Sequence, residues 1–486
     1  MLLLARKKNN LFFNETQSQN NVFINIELRT IQSYGKKSCL ELKIFLLRTL
    51  SLEKILPKLF SKGFFFRLHA WVGIIFGPLL YVICLSGSFA VFSNEIDWLL
   101  NPKIKSQPGE INWDLVYSKF KESYPNYELT TVRAPRHSGF AAQSYAKSEN
   151  GKTLRVYSNP VSGEVQTLEN FWNTQRFFRS FHRRFFILPG KVGILFVSLY
   201  ALPLIVLVIL GVRVQGKKIM KLIYNVRKTK NQKKLFSNYH LLLSNWSWIF
   251  AVVISLTGIW YGVETFKPAS SKSNDEIHNL ESEIDRYNKV ENKIKFLCGL
   301  SSSLIDRFTI NSIRFDTKSD SITIQGKTSG MGTFFRSRAN SVTFNFKTGK
   351  FVGVYRSVND TKHKIISDIA DPIHFGDWGG IVTQIIWFLL GLMLSIAIMF
   401  GLILSTKRIS AKYHPSKYSF NLSIVILLLV MGYSLYGGFI EYSSNVDAAV
   451  ILPKNYILFV IILFIAILFA SLCILLKSVH SALCKN

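Results

Sequence analysis

Six long apolar runs, separated by stretches rich in charge, set the plan of this chain. Residues 70–92 contain no charged side chain over 23 positions, and roughly 20 apolar residues are what a helix needs to cross a hydrocarbon layer. With their flanks, such runs predict spans over residues 68–93, 186–212, 241–263, 378–404, 419–440 and 455–476. The pattern is that of a polytopic α-helical membrane protein with six transmembrane helices.

Between the first and second spans, and again between the third and fourth, the hydropathy period shortens. Residues 94–185 and 264–377 each carry Val-x-x-Asn-x-x-Ser/Thr-Gly, as VYSNPVSGEV at 156–165 and VTFNFKTGKF at 342–351. Alternating strand residues around a Ser-Gly or Thr-Gly turn predict a β-hairpin in each. ITIQGK at 322–327 adds a strand, so both segments read as small α+β insertions. Ahead of the first span, residues 40–62 alternate apolar and basic positions at helical spacing. That segment fits a helix lying on the membrane surface or one packed on the protein. Residues 1–10 are too short and too charged for a secretory signal peptide.

The two spans that lead into the insertions are spaced alike. His69 precedes Gly87 by 18 residues, and His240 precedes Gly258 by 18, which is five helical turns. Glycine at these positions allows close helix packing in a membrane. After each hairpin comes another histidine, His182 in SFHRRFF and His374 in DPIHFGDWGG, and then the next span. The chain is thus predicted to be a duplication of histidine, span, insertion, histidine and span. The last two spans have no counterpart.

Charge refines this picture. A net charge of +30 raises the question of nucleic acid, but 12 Lys/Arg lie in residues 1–67 and nine, without an acid, in residues 213–240. Four more lie in residues 407–418, whereas the turn between the last two spans sets Lys454 against Glu441 and Asp447. Basic residues mark alternate connections, as the positive-inside rule requires. Both termini and the 213–240 loop are therefore expected in the cytoplasm, with both insertions outside. The charge belongs to topology; membrane lipid is the expected partner and nucleic acid is not. Of five cysteines, Cys84 and Cys473 fall in spans, Cys39 and Cys484 in cytoplasmic segments, and Cys298 outside, which leaves no pair for an external disulfide. No CxxC or CxxCH occurs, so covalent c-type haem and a thiolate metal site are not expected.

Four of the nine histidines stand at or just before the starts of the first four spans. Each alone fits an imidazole bonded to a headgroup or a turn. Four in register with a duplication point to function, since ionisable groups near membrane depth usually serve one. Topology sets His69 and His240 at the cytoplasmic boundary, and His182 and His374 at the outer one. Two imidazoles from different helices at one level suit axial ligation of a b-type haem iron. Zinc is the rival metal, poorly served by two histidines alone, although Asp371 and Asp377 flank His374. Arg183 and Arg184 fit either carboxylates of haem or of an anionic chelate, or lipid headgroups. No GxGxxG after a strand and no Walker sequence occurs, so no nucleotide or flavin site is expected.

LHAWVG and LSG (68–73, 85–87), SFHRRF (180–185), YH and SLTGIW (239–240, 255–260) and IHFGDWGG (373–380) together resemble the PepSY-associated transmembrane family. That family includes iron-regulated membrane proteins and inner-membrane siderophore-iron reductases. The resemblance covers residues 64–405, and both hairpins resemble PepSY-type repeats. Three departures, Ala70 for the usual arginine and Leu241 and Ser244 for an arginine and a glycine, sit beside His69 and His240. The resemblance implies a bacterial inner-membrane protein holding two haem b groups, with His69, His240, His182 and His374 as iron ligands. It implies electrons from a quinol or a cytoplasmic reductase reaching a periplasmic ferric chelate, in support of iron acquisition. Two other readings stand: a non-redox module binding a peptide, peptidase or envelope partner, and a transporter. Against the transporter, the spans show no acid pair and no strong break, Pro78 and Pro203 being weak signals.

Overall fold

A computed structural model describes residues 61–216, 230–268, 281–328, 333–406, 414–447 and 455–483. Cys39, Cys484 and residues 40–60 of the predicted surface helix lie outside these, as do parts of the basic connections. Among the described residues, six helices or helix pairs are long and apolar enough to cross a membrane.

The first half begins with α1 (Lys62–Leu100) and passes through α2 (Trp113–Ser123), β1 (Glu128–Arg133), β2 (Ala142–Lys147), β3 (Thr153–Ser158) and β4 (Val165–Asn170). It returns through α3 (Thr174–Arg184), α4 (Gly190–Leu199) and α5 (Ala201–Gln215). The second half repeats this order. After α6 (Gln232–Phe266) come α7 (Glu281–Lys289), α8 (Lys293–Leu304), β5 (Phe308–Asp316), β6 (Ser321–Thr328), β7 (Asn340–Asn345) and β8 (Phe351–Arg356), then α9 (Lys362–Phe375) and α10 (Gly380–Thr406). Two further helices, α11 (His414–Asn445) and α12 (Asn455–Leu483), follow.

α1 is the most deeply buried of the spans. Pro78 lies inside it without ending it. The second span, by contrast, parts at Tyr200 into α4 and α5. Pro203 has no N–H to offer the Leu199 carbonyl, so the helical ladder is interrupted there. Opposite the break, α6 presents two glycines. A Cβ at Gly258 would stand 3.0 Å from Ala201 Cβ, and one at Gly262 would stand 3.2 Å from Ser198 Cβ. Gly258 thus permits the close helix contact predicted for it.

The two insertions share one antiparallel sheet of eight strands, ordered β4-β3-β2-β1-β5-β6-β7-β8. Two four-stranded meanders meet through β1 and β5, in the pairs Thr131–Arg314, Val132–Ile313 and Arg133–Ser312. Each predicted hairpin is present with the same turn. Gly163 N–H donates to Asn159 O at 3.0 Å and Gly349 N–H to Asn345 O at 2.9 Å, and both glycines have positive φ, 76° and 72°. Each asparagine Oδ1 also accepts two N–H groups from its own turn. One sheet face buries Val156, Ile324 and Phe344 against Phe120 of α2 and Leu297 of α8. Asp114 links the halves across this layer: its carboxylate accepts Ile294 N–H at 2.9 Å and Lys295 N–H at 2.7 Å, capping the start of α8. The alternation of β3 sends Leu154 and Val156 to the helix-covered face and turns Arg155 and Tyr157 to the other.

Candidate functional site

The paired helices carry their histidines into contact. His69 of α1 meets His240 of α6 with ring centroids 6.3 Å apart, and His182 of α3 meets His374 of α9 at 6.2 Å. These are the partners expected from the directions of the helices. The sheet grows from the ends of α1 and α6, so His182 and His374 form the sheet-side pair and His69 and His240 the opposite one. Along α1, the 18 residues from His69 to Gly87 span about 27 Å.

All four imidazoles are fixed through Nδ1. His69 Nδ1 lies 3.1 Å from Leu207 O of α5, and His240 Nδ1 lies 2.8 Å from Ala397 O of α10. His182 Nδ1 lies 3.0 Å from Ile83 O of α1. A carbonyl only accepts, so each of these Nδ1 atoms carries the proton. His374 Nδ1 lies 2.8 Å from Thr257 Oγ1 of α6, whose hydroxyl has Val253 O at 2.8 Å. With that hydroxyl donating to its own helix, His374 Nδ1 is again the donor. The shared tautomer leaves the electron pair on Nε2, the arrangement second-shell bonds impose on metal-binding histidines.

Small residues make these bonds possible. Gly211, Gly401 and Gly87 each lie four residues after the accepting carbonyl, where a side chain would cover it. A Cβ at Gly87 would stand 2.8 Å from His182 Cε1, one at Gly401 3.1 Å from His240 Cε1, and one at Gly211 3.6 Å from His69 Cε1. Gly87 therefore serves an imidazole, whereas Gly258 serves a helix contact. The repeat extends to the hydroxyls: Ser86, equivalent to Thr257, lies 3.4 Å from His182 Nδ1.

The sheet-side pair opens into a cavity of about 570 Å³, within the roughly 300–1,000 Å³ of cofactor sites. Its floor is apolar, with Leu80, Leu204, Phe250 and Leu394. Leu204 and Leu394 are each three residues before the carbonyls that hold the opposite pair, so the cavity reaches within a helical turn of those anchors. Its rim is basic, with Arg179, Arg183, Lys191, Arg336 and Arg338 against Glu264 and Asp371. Burial pushes the His182 imidazole down to about 4; burial, then the neighbouring His182, push His374 down to about 3. Both are neutral at pH 7 and able to ligate.

The two arginines singled out in the sequence part company. Arg183 lines the cavity, but Arg184 pairs with Glu441 of α11 at 2.5 Å. Asp371 accepts from Tyr261 Oη at 2.8 Å and pairs with Arg336 at 2.9 Å, and among the described residues no three His, Cys, Asp or Glu converge as a metal set. The donor chemistry therefore fits a metal held by two imidazoles better than a zinc ion. A metal held ~2.0–2.1 Å from each of two facing imidazole nitrogens, with about 1.2 Å from nitrogen to ring centre on each side, sets the centroids roughly 6.4–6.6 Å apart. The observed 6.3 and 6.2 Å fall slightly below that range. Ser86, Thr257, Gly211, Gly401 and Arg336 were not singled out from the sequence, and Glu441 was noted there only as a charge in a turn. The equal offset of Ser86 and Thr257 within the repeat was the available signal for those two.

Fold and site together define a multi-pass membrane protein whose helical core holds two facing imidazole pairs beneath an inserted β-sheet. The chain belongs to the PepSY-associated TM region family, which it matches over residues 66–408. No curated protein matches it. α11 and α12 lie beyond the family match.

Proposed function

We propose that this protein is a haem-b electron carrier that takes electrons across the bacterial inner membrane to a ferric chelate such as siderophore-iron on the sheet side. The observation that carries the reading is the repeated imidazole pair, each ring anchored through Nδ1 and the two rings of a pair brought side by side from different helices. His182 and His374 would hold one haem iron, and His69 and His240 a second. Bound haem supplies one-electron oxidation and reduction of its iron. The chain's own groups do the rest. Leu207 O, Ala397 O, Ile83 O and Thr257 Oγ1 hold the tautomer and aim Nε2. Leu80, Leu204, Phe250 and Leu394 keep water from the cavity floor. Arg179, Arg183 and Arg338 on the rim attract carboxylates, whether haem propionates or an anionic chelate.

The nine basic residues in the 213–240 connection support a cytoplasmic location for that side and a periplasmic one for the sheet. His69 and His240 would hold the haem nearer the cytoplasm, whose iron would accept electrons from a quinol or a cytoplasmic reductase. The test is an absorption spectrum of the purified protein, before and after dithionite and with haem supplied during expression. A haem-loaded protein should show a Soret band that shifts on reduction and shifts back when ferric chelate re-oxidises it. Folded protein without such a band defeats the haem reading and favours the non-redox module.

A further inference from the structure

α11 and α12 have no counterpart in the duplication, yet they enclose the helix that carries His182. Arg176, Ser180 and Arg184 form a stripe along α3 at spacings of four, and all three converge on Glu441. Arg176 Nη2 is 2.7 Å from Glu441 Oε1, Ser180 Oγ is 2.9 Å from the same oxygen, and Arg184 Nη2 is 2.5 Å from Oε2. His182 is two residues from Ser180, about 200° around the helix. Its imidazole therefore projects from the opposite face, towards Ile83 and His374.

The rest of the helix pair closes on α3 and on the chain just beyond it. Phe464 of α12 packs on Phe178 and Phe181 with ring centroids 5.1 Å and 5.6 Å apart. Gly437 of α11 lies so close to Phe186 that a Cβ there would collide with the Phe186 carbonyl. A buried carboxylate in an otherwise apolar helix is costly unless its charge is met. Glu441 is 6% exposed, and among the described residues the side chains that meet its carboxylate belong to α3.

We propose that Glu441 is a positioning residue for His182: from α11 it sets the rotation and height of α3, and so the direction in which His182 faces His374. The spectroscopic arm of the test rests on the haem reading; the exchange arm does not. Glu441→Gln in the full chain removes the charge and keeps the shape. Hydrogen exchange in residues 174–184 is expected to quicken roughly tenfold, with residues 362–375 of α9 unchanged. Where haem is bound, the midpoint potential of the sheet-side component should shift, the other component should stay, and Glu441→Asp should restore most of the shift. Should Glu441→Gln fail to fold, Ser180→Ala removes one bond without stranding a charge. It should quicken the same amides about two- to threefold and shift the same component. Unchanged α3 exchange, equal quickening in α3 and α9, or a sheet-side component indifferent to loosened α3 would each overturn the proposal. Loosened α3 in a protein that takes up no haem would sustain the mounting of α3 by Glu441 and defeat the haem reading instead.

Discussion

α3 and α9 occupy equivalent places in the two halves, each presenting one histidine to the same cavity, but they are mounted differently. α9 is held from within its own half. Asp368 is fully buried and meets Arg336 at 3.0 Å and Lys364 at 2.6 Å, while Asp371 meets Arg336 and Tyr261. Arg336 comes from the long connection between β6 and β7. In the first half β2 and β3 are joined by a short turn, with Gly151 N–H donating to Ser148 O, and no arginine reaches back from it. α3 instead takes its supports from Asp97 of α1, which accepts Thr174 and Gln175 N–H, from Arg155 of β3, which donates to Gln175, and from Glu441 of α11. The repeat thus keeps the surroundings of each imidazole and varies the scaffold behind it.

Asp368 is where the difference should be most visible. Asp368→Ala leaves Arg336 and Lys364 without their shared carboxylate, and breaking such a buried pair costs about 3 kcal/mol. Thermal unfolding of the purified protein should record this as the largest loss among these variants, with faster exchange in α9 and little change in α3. Equal loosening of both helices would show that the two mounts are one.

The glycines test the imidazole surroundings at smaller cost. Gly87→Ala forces a methyl group towards His182, and overpacking of this kind costs about 1–3 kcal/mol. It should disturb the sheet-side pair alone. Gly401→Ala should disturb the opposite pair less, and Gly211→Ala least, following the clearances of 2.8, 3.1 and 3.6 Å. A reversed order, read from stability or from spectra, would break the link between these glycines and the rings.

The smallest expected effect separates two hydroxyls that the repeat makes equivalent. Thr257→Val removes the Nδ1 partner of His374 and should cost about 1 kcal/mol. Ser86→Ala should cost a few tenths, because His182 keeps Ile83 O at 3.0 Å. Matching losses in the two variants would mean that His182 relies on its hydroxyl as well.

The spans, the hairpin turns and the histidine partners were legible because each rests on a local pattern: an apolar run, Asn-x-x-x-Gly, or a histidine at a helix start. Fusion of the two insertions into one sheet was not, since the β1–β5 joint involves three ordinary residue pairs that no spacing marks. Glu441 read as a charge in a turn; it stands inside α11, and which helix a buried carboxylate will face depends on packing between distant segments. The break at Tyr200 follows from Pro203, yet Pro78 leaves α1 whole. The proline alone therefore does not tell which helix parts.

Four histidines that work as two metal-holding pairs should titrate, load and fail as pairs. The most direct measurement is the reduced-minus-oxidised spectrum of the four single variants His69→Ala, His240→Ala, His182→Ala and His374→Ala, prepared with haem supplied. The first two should lose one spectral component and the last two the other. Loss of both components in every variant, or loss shared between His69→Ala and His182→Ala, would contradict the pairing.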